Sequence, residues 1–280
     1  EIKAKDEELV VAKKELDSSR PVVAKELVSW EEKLREKLQI SWVDSDTTQV
    51  LSSRGNKFEK MSDGSHKFLG DVPQFDTHTF TVRTDAKDLR ILSFEALPDK
   101  SFPKGSVGLN ASGNAVVSTI TAKAISVLDP SQSKEIEWDW AWADYEQQNF
   151  DHDVHNLLRP DAPGWALAGH THRSAHTALL LSKSPFGFEG GTDIKVTVEY
   201  KSIYATHLVG RPRLTLAKAS PTIKDEFPTI SSSWFRTGPF KGGNFDAIFD
   251  KDFGPEHETK LDFNKKFGQA MWRYEPKLKD

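Results

Sequence analysis

Asp193-Ile194-Lys195-Val196-Thr197-Val198-Glu199-Tyr200 alternates apolar and polar residues without a break. Ile194, Val196, Val198 and Tyr200 fall on one side of an extended chain, and Asp193, Lys195, Thr197 and Glu199 on the other. Successive side chains of a strand point to opposite faces, so this stretch predicts a strand of an antiparallel sheet with one face buried and one wet. The same two-residue period runs through 79–82, 89–97, 114–127, 135–143, 176–183 and 213–217. Turn chemistry separates these runs: Asp63-Gly64, Pro98-Asp99, Ser112-Gly113-Asn114, Asp129-Pro130, Pro163-Gly164 and Glu189-Gly190-Gly191. About ten strands with no helical crossover between them predict a mainly β fold, an antiparallel β-sandwich or jelly roll, over 39–220.

Outward from that domain the pattern changes. Ile2, Leu9, Leu16, Val23 and Trp30 recur every seven residues, one apolar seam on a helix with charged faces between. Pro21, after Asp17-Ser18-Ser19, suits a helix's first turn behind a serine cap, so 1–38 is expected to form a coiled-coil-like helical hairpin or a solvated helical linker. Residues 221–280 carry one more alternating run and then an irregular aromatic stretch with Phe245, Phe249, Phe253, Phe263, Phe267 and Trp272. This segment is expected to start a second, incomplete module. The chain opens on Glu1 with no charged-then-apolar leader and closes on Lys277-Leu278-Lys279-Asp280. It is expected to be an internal piece of a longer protein.

Composition narrows the chemistry. Lys and Arg total 38 and Asp and Glu 42, a net charge of −4 over 280 residues, which argues against a general nucleic-acid binder. The absence of cysteine excludes disulfides, thiolate zinc sites, a cysteine nucleophile and, within these residues, a covalently attached c-type haem. No apolar run approaches the length of about eighteen residues needed to span a membrane as a helix. There is no nucleophile elbow, phosphate-cradling glycine loop or dinucleotide fingerprint.

Five groups of segments stand in a distinctive serial order. Gly70-Asp71-Val72-Pro73 leads to Asp76-Thr77-His78-Thr79-Phe80-Thr81-Val82. Leu89-Arg90-Ile91-Leu92-Ser93-Phe94-Glu95-Ala96-Leu97-Pro98-Asp99 precedes Gly113-Asn114-Ala115-Val116-Val117-Ser118. Ala143-Asp144-Tyr145 is followed by Gly164-Trp165-Ala166. Gly210-Arg211-Pro212-Arg213-Leu214-Thr215-Leu216 and Trp234-Phe235-Arg236-Thr237-Gly238-Pro239-Phe240 close the series. Over most of 25–275 this order resembles the central region of the large planctomycete-type cytochrome c proteins. In those, a cytochrome module and domains of unknown function flank a galactose-binding-like, discoidin-like sandwich. Ala115 stands where that family tends to carry Phe, and Pro212 where it usually reads Gly-Arg-Phe-Arg. The resemblance implies a non-catalytic, carbohydrate-binding-type module of an exported periplasmic or cell-surface protein. Haem c would belong only to the parent protein outside this chain, and the partners would be a polysaccharide and the flanking domains.

Candidate binding residues come from the residues themselves. Trp138, Trp140 and Trp142 stand at period two, so on a regular strand all three indoles project from one face. Such a row serves as core, as a platform stacking on sugar rings, or as a partner interface. Arg211 and Arg213 suit a clamp on an anionic sugar, or are strand-end charges. His170, His172 and His176, with Asp151 and Asp153, are ligand types for zinc or copper if their two loops meet, and otherwise make ordinary polar contacts. Sandwich modules of the galactose-binding kind often hold a structural calcium. Asp44, Asp46, Asp76, Asp99 and Asp144 are the candidates, with turn-capping as their other role. Three functions remain in play: a glycan-binding module, a scaffold positioning flanking redox domains, and a metal-dependent hydrolase.

Overall fold

The structure is a computed structural model that describes residues 40–147 and 152–220, with Val10, Val11, Lys14, Ser18 and Ser29 as isolated positions. The chain divides into two units, Ile40–Asp225 and Glu1–Gln39 with Glu226–Asp280. Almost all described residues fall in the first. Apart from those five positions, the helices expected over 1–38 and the module expected over 221–280 lie outside the described residues.

Strands β1 (Ser41–Val43), β14 (Pro212–Lys218), β6 (Leu89–Ala96), β12 (His176–Phe186) and β10 (Trp138–Ala143) form one five-stranded sheet in that order. Strands β2 (Asp46–Ser52), β5 (Asp76–Thr84), β13 (Thr192–Tyr200), β8 (Thr119–Ser126) and β9 (Ser133–Ile136) form the second. Two small ladders pair β3 (Lys57–Lys60) with β4 (His66–Leu69), and β7 (Val116–Val117) with β11 (Trp165–Ala166). Every pairing is antiparallel. The expected mainly β, antiparallel class is therefore what the described residues adopt. Among the described residues, no helix is long and apolar enough to cross a membrane.

The alternation of β13 maps directly onto burial. Ile194, Val196 and Val198 are buried, while Asp193, Thr197 and Glu199 are half-buried and Lys195 is exposed. Phe80 and Val82 of β5 and Ile120, Ala122 and Ala124 of β8 join the inner side of this sheet. Leu92 and Phe94 of β6, Leu180 of β12, and Leu214 and Leu216 of β14 come from the other sheet, and all belong to one apolar cluster. Each fully buried Phe or Leu contributes roughly 1.5–3 kcal/mol, so the shared core is what holds the two sheets together.

Polar connections fix the loops that carry the site. Asn114 Oδ1 accepts from the backbone N–H of Ala115 and Gly169, both at 2.9 Å, and its Nδ2 donates to Gln147 at 3.1 Å. Three loops are thereby joined through one amide. Gly164 has a φ of +89°, and a Cβ there would lie 2.5 Å from the Val117 carbonyl oxygen. Only glycine permits that crossing of the 160–164 loop over the chain leading into β8. At the edge of the first sheet, Ser41 pairs with Lys218, so the two ends of the described domain are neighbours.

Candidate functional site

The first half of β8 has a free edge. Strand β9 pairs with it only from Ala122 to Ile125, leaving Thr119–Thr121 without a ladder partner on that side. Trp138 covers the edge. Its indole N–H donates to the Ile120 carbonyl at 2.9 Å, tying the start of β10 in one sheet to β8 in the other. The ring is half-buried and packs against the core cluster.

Beside this ring lies a groove of about 380 Å³. Its floor is β8 and the end of β13, with Ser118, Thr119, Thr121, Glu199 and Lys201. Leu157, Leu158, Pro160, Asp161 and Ala162 form the opposite wall. That wall is held by the short 3-10 turn Val154–Leu158, whose N-terminus is capped when Asp153 Oδ1 accepts from His155 N at 2.9 Å. Glu146 Oε1 also accepts from Val154 N at 2.9 Å. On the floor, Glu199 accepts from Thr119 Oγ1 at 3.1 Å and from Lys201 Nζ at 2.5 Å. The groove therefore offers one fixed aromatic ring, apolar contact from two leucines, and pre-arranged hydroxyls and carboxylates.

The three indoles do not share a face. The pairing of β10 with β12 shifts register between Trp138 and Trp140: Trp138 opposes Ser182 and Trp140 opposes Leu181. Asp139 is the extra residue of a bulge, and an extra residue reverses the face of everything beyond it. Ala141 and Ala143 point into the core cluster, placing Trp140 and Trp142 on the outer face with Leu181 and Leu179. Only Trp138 meets the groove.

The other candidates are placed as follows. Arg211 Nε donates to Ser65 Oγ at 2.7 Å and its guanidinium pairs with Asp63. Arg213 makes a bidentate pair with Glu95 at 2.7 and 2.8 Å. These forks fasten the turn between β3 and β4 and the neighbouring strand β6 to β14. His170 and His172 sit in a tight turn rather than an extended run, since both Thr171 N and His172 N donate to Ala168 O. His172 packs on Tyr145 with ring centroids 4.2 Å apart, and His176 Nε2 donates to the His172 carbonyl at 3.1 Å. His170 is exposed, its basicity lowered by partial burial with Lys104 and His207 adding to it. Asp153 is the cap of the 3-10 turn, and Asp151 lies outside the described residues.

The aspartates considered for calcium are dispersed. Asp46 pairs with Lys60, and Asp144 accepts from Thr177 N at 2.9 Å. Asp99 accepts from Ser101 and Lys67, and Asp76 from Ser52, Ser53 and Thr77 N. Among the described residues, no group of three or more His, Asp or Glu is placed to hold a metal ion. The backbone carbonyl of Asp44 accepts from Thr84 Oγ1 at 2.8 Å.

Inside the core, Asp76 and His78 form a buried pair, with His78 Nε2 donating to Asp76 Oδ2 at 3.2 Å. The hydroxyls of Ser52 and Ser53 donate to Asp76, not to His78, so the geometry of an activated serine is absent at this pair. No family model matches the chain, and no curated protein matches it.

Proposed function

We propose that this chain carries a non-catalytic, carbohydrate-binding-type module of a larger exported protein, a jelly-roll sandwich of the galactose-binding-like kind. It binds polysaccharide in the groove beside Trp138, by ring contact and hydroxyl hydrogen bonds, with no bond broken. One observation carries this reading: an immobilised indole lines the same groove as Thr119, Thr121, Glu199 and Asp161. Sugars present apolar C–H faces and hydroxyl rims, which such a mixed lining matches. The resemblance to the central region of the cytochrome-containing proteins supports the same class.

The test is electrophoresis of the full chain in gels containing hydroxyethylcellulose, galactomannan or alginate. Retarded migration in at least one gel is expected, and Glu199→Gln, which leaves the core untouched, is expected to weaken it about tenfold. Unretarded migration in all three would refute the reading.

A scaffold role is favoured by a separate observation. Trp42, Ala217, Ile91, Leu181 and Trp140 share one rung across the outer face of the first sheet. Trp42 at its edge is exposed and Trp140 half-buried, while Ala217, Ile91 and Leu181 are buried, as an apolar rung that is covered rather than wetted must be. In this second reading, the first sheet's outer face seats a flanking domain.

A further inference from the structure

The groove does not end at β8. Two rungs of the second sheet lead out of it across the outer face: Thr119 with Glu199 and Thr77, and Thr121 with Thr197 and Thr79. These positions are half-buried or exposed, in contrast to the buried inner side of the same strands. No hydrogen bond to another described residue engages the hydroxyls of Thr121, Thr197 and Thr79. Neighbouring strands lie about 4.8 Å apart, so the three hydroxyls form a nearly straight row roughly 10 Å long, continuous with the groove. Each threonine adds a methyl beside its hydroxyl, the same pairing of apolar and polar contact that Trp138 and Glu199 provide inside.

Charge points to the ligand's class. Glu199 and Lys201 form an ion pair, and Asp161 has no basic partner among the groove residues, so the groove carries one uncompensated negative charge. A carboxylate- or sulfate-bearing chain would meet like charge at the groove, while neutral hydroxyls find acceptors.

Resting on the glycan-binding reading above, we propose that the ligand is a long, uncharged polysaccharide. It is seated in the groove at Trp138 and laid across the threonine rows of the second sheet. A site that runs on from the groove across an open sheet face contacts several successive sugar units, so affinity grows with chain length.

The experiment compares wild type with a Thr79→Val, Thr197→Val double variant, both as the full chain. Valine keeps threonine's shape and strand preference, so the fold is retained, and a matched melting temperature verifies this. Probes are hydroxyethylcellulose, galactomannan and alginate in gels, with cellobiose, cellohexaose, mannobiose and mannohexaose by titration calorimetry. The expected result is tighter binding of the hexaose than of the biose, and no retardation by alginate. In the double variant, polymer affinity falls about tenfold with biose affinity unchanged. If the polymers retard both proteins equally while Glu199→Gln loses retardation, the threonine face is not part of the site, though the groove is. Retardation by alginate as strong as by the neutral polymers would overturn the uncharged class. No retardation by any polymer would overturn this proposal together with the reading it rests on.

Discussion

Asn114 shows how much of this domain depends on single polar side chains. Its carbonyl oxygen satisfies two buried backbone donors in different segments, Ala115 N and Gly169 N. Replacing it with alanine leaves both without an acceptor, and each such orphan costs about 1–3 kcal/mol. Asn114→Ala is therefore expected to lower unfolding stability by roughly 2–4 kcal/mol, read as a lower urea midpoint with an unchanged slope. The Gly113-Asn114 pair is visible in the sequence as a turn, but the amide's reach of fifty-five residues to Gly169 is not. Likewise Arg211 and Arg213 are legible as paired charges near a strand end, while Asp63 and Glu95, which occupy them, stand more than a hundred positions away.

The strand β10 is the element where period and structure part. Trp138, Trp140 and Trp142 read as one row because spacing alone cannot reveal an inserted residue, and Asp139 supplies that insertion. The bulge sends Trp138 to the groove and the other two to the opposite face. Trp138→Ala is thus expected to abolish glycan retardation and also to lower stability, since it uncovers the Ile120 carbonyl. Trp140→Ala and Trp142→Ala are expected to leave retardation unchanged in the same gels. Loss of binding in all three would contradict the divided row. Longer strands such as β5, β6, β8 and β13 were legible because a buried face imposes strict alternation. Strands β3 and β4 were not, since Lys57-Phe58-Glu59-Lys60 has one half-buried side chain among exposed ones. Sheet order is set by non-local pairing, such as β14 beside β6, and leaves no local trace. The groove's Thr119, Thr121 and Glu199 likewise carry no signal beyond ordinary wet-face polarity.

At the scale of the whole molecule, buried titratable groups set the pH range of stability. His78 is enclosed by Phe58, Phe68, Phe80 and Tyr200, and burial lowers its pKa below 6.5 despite the opposing pull of Asp76. The unfolded chain takes up that proton near pH 6.5 and the folded chain does so only lower, so stability is lost as pH falls below about 6.5. His66, whose pKa burial also lowers with Lys60 adding to it, acts in the same direction. The carboxylates act lower on the scale. Burial alone would raise Asp99, but Ser101 and Lys67 override it and bring it down to about 2. For Asp76 burial also pushes upward, and the donors His78, Ser52 and Ser53 hold it well below the ordinary range. Their contribution is complete above pH 3.8 and lost as pH falls through that value towards the folded-state pKa. Melting temperatures should be level above about pH 7, begin to fall as pH drops below about 6.5, and fall more steeply below about 4. His78→Gln, whose amide still donates to Asp76, should shrink the first fall and leave the second. A wild-type profile that stays level as pH falls below about 6.5 would contradict a neutral buried His78.

The pairing of Ser41 with Lys218 has a mechanical consequence. The polypeptide reaches this domain and departs from it at one corner, so tension between the two tethers peels β1 from β14 one hydrogen-bonded pair after another. Rungs broken in series resist far less than a ladder sheared all at once. Under pulling, β1 is therefore the first piece to detach, and the domain behaves as a plug hung from one point rather than as a link that bears load.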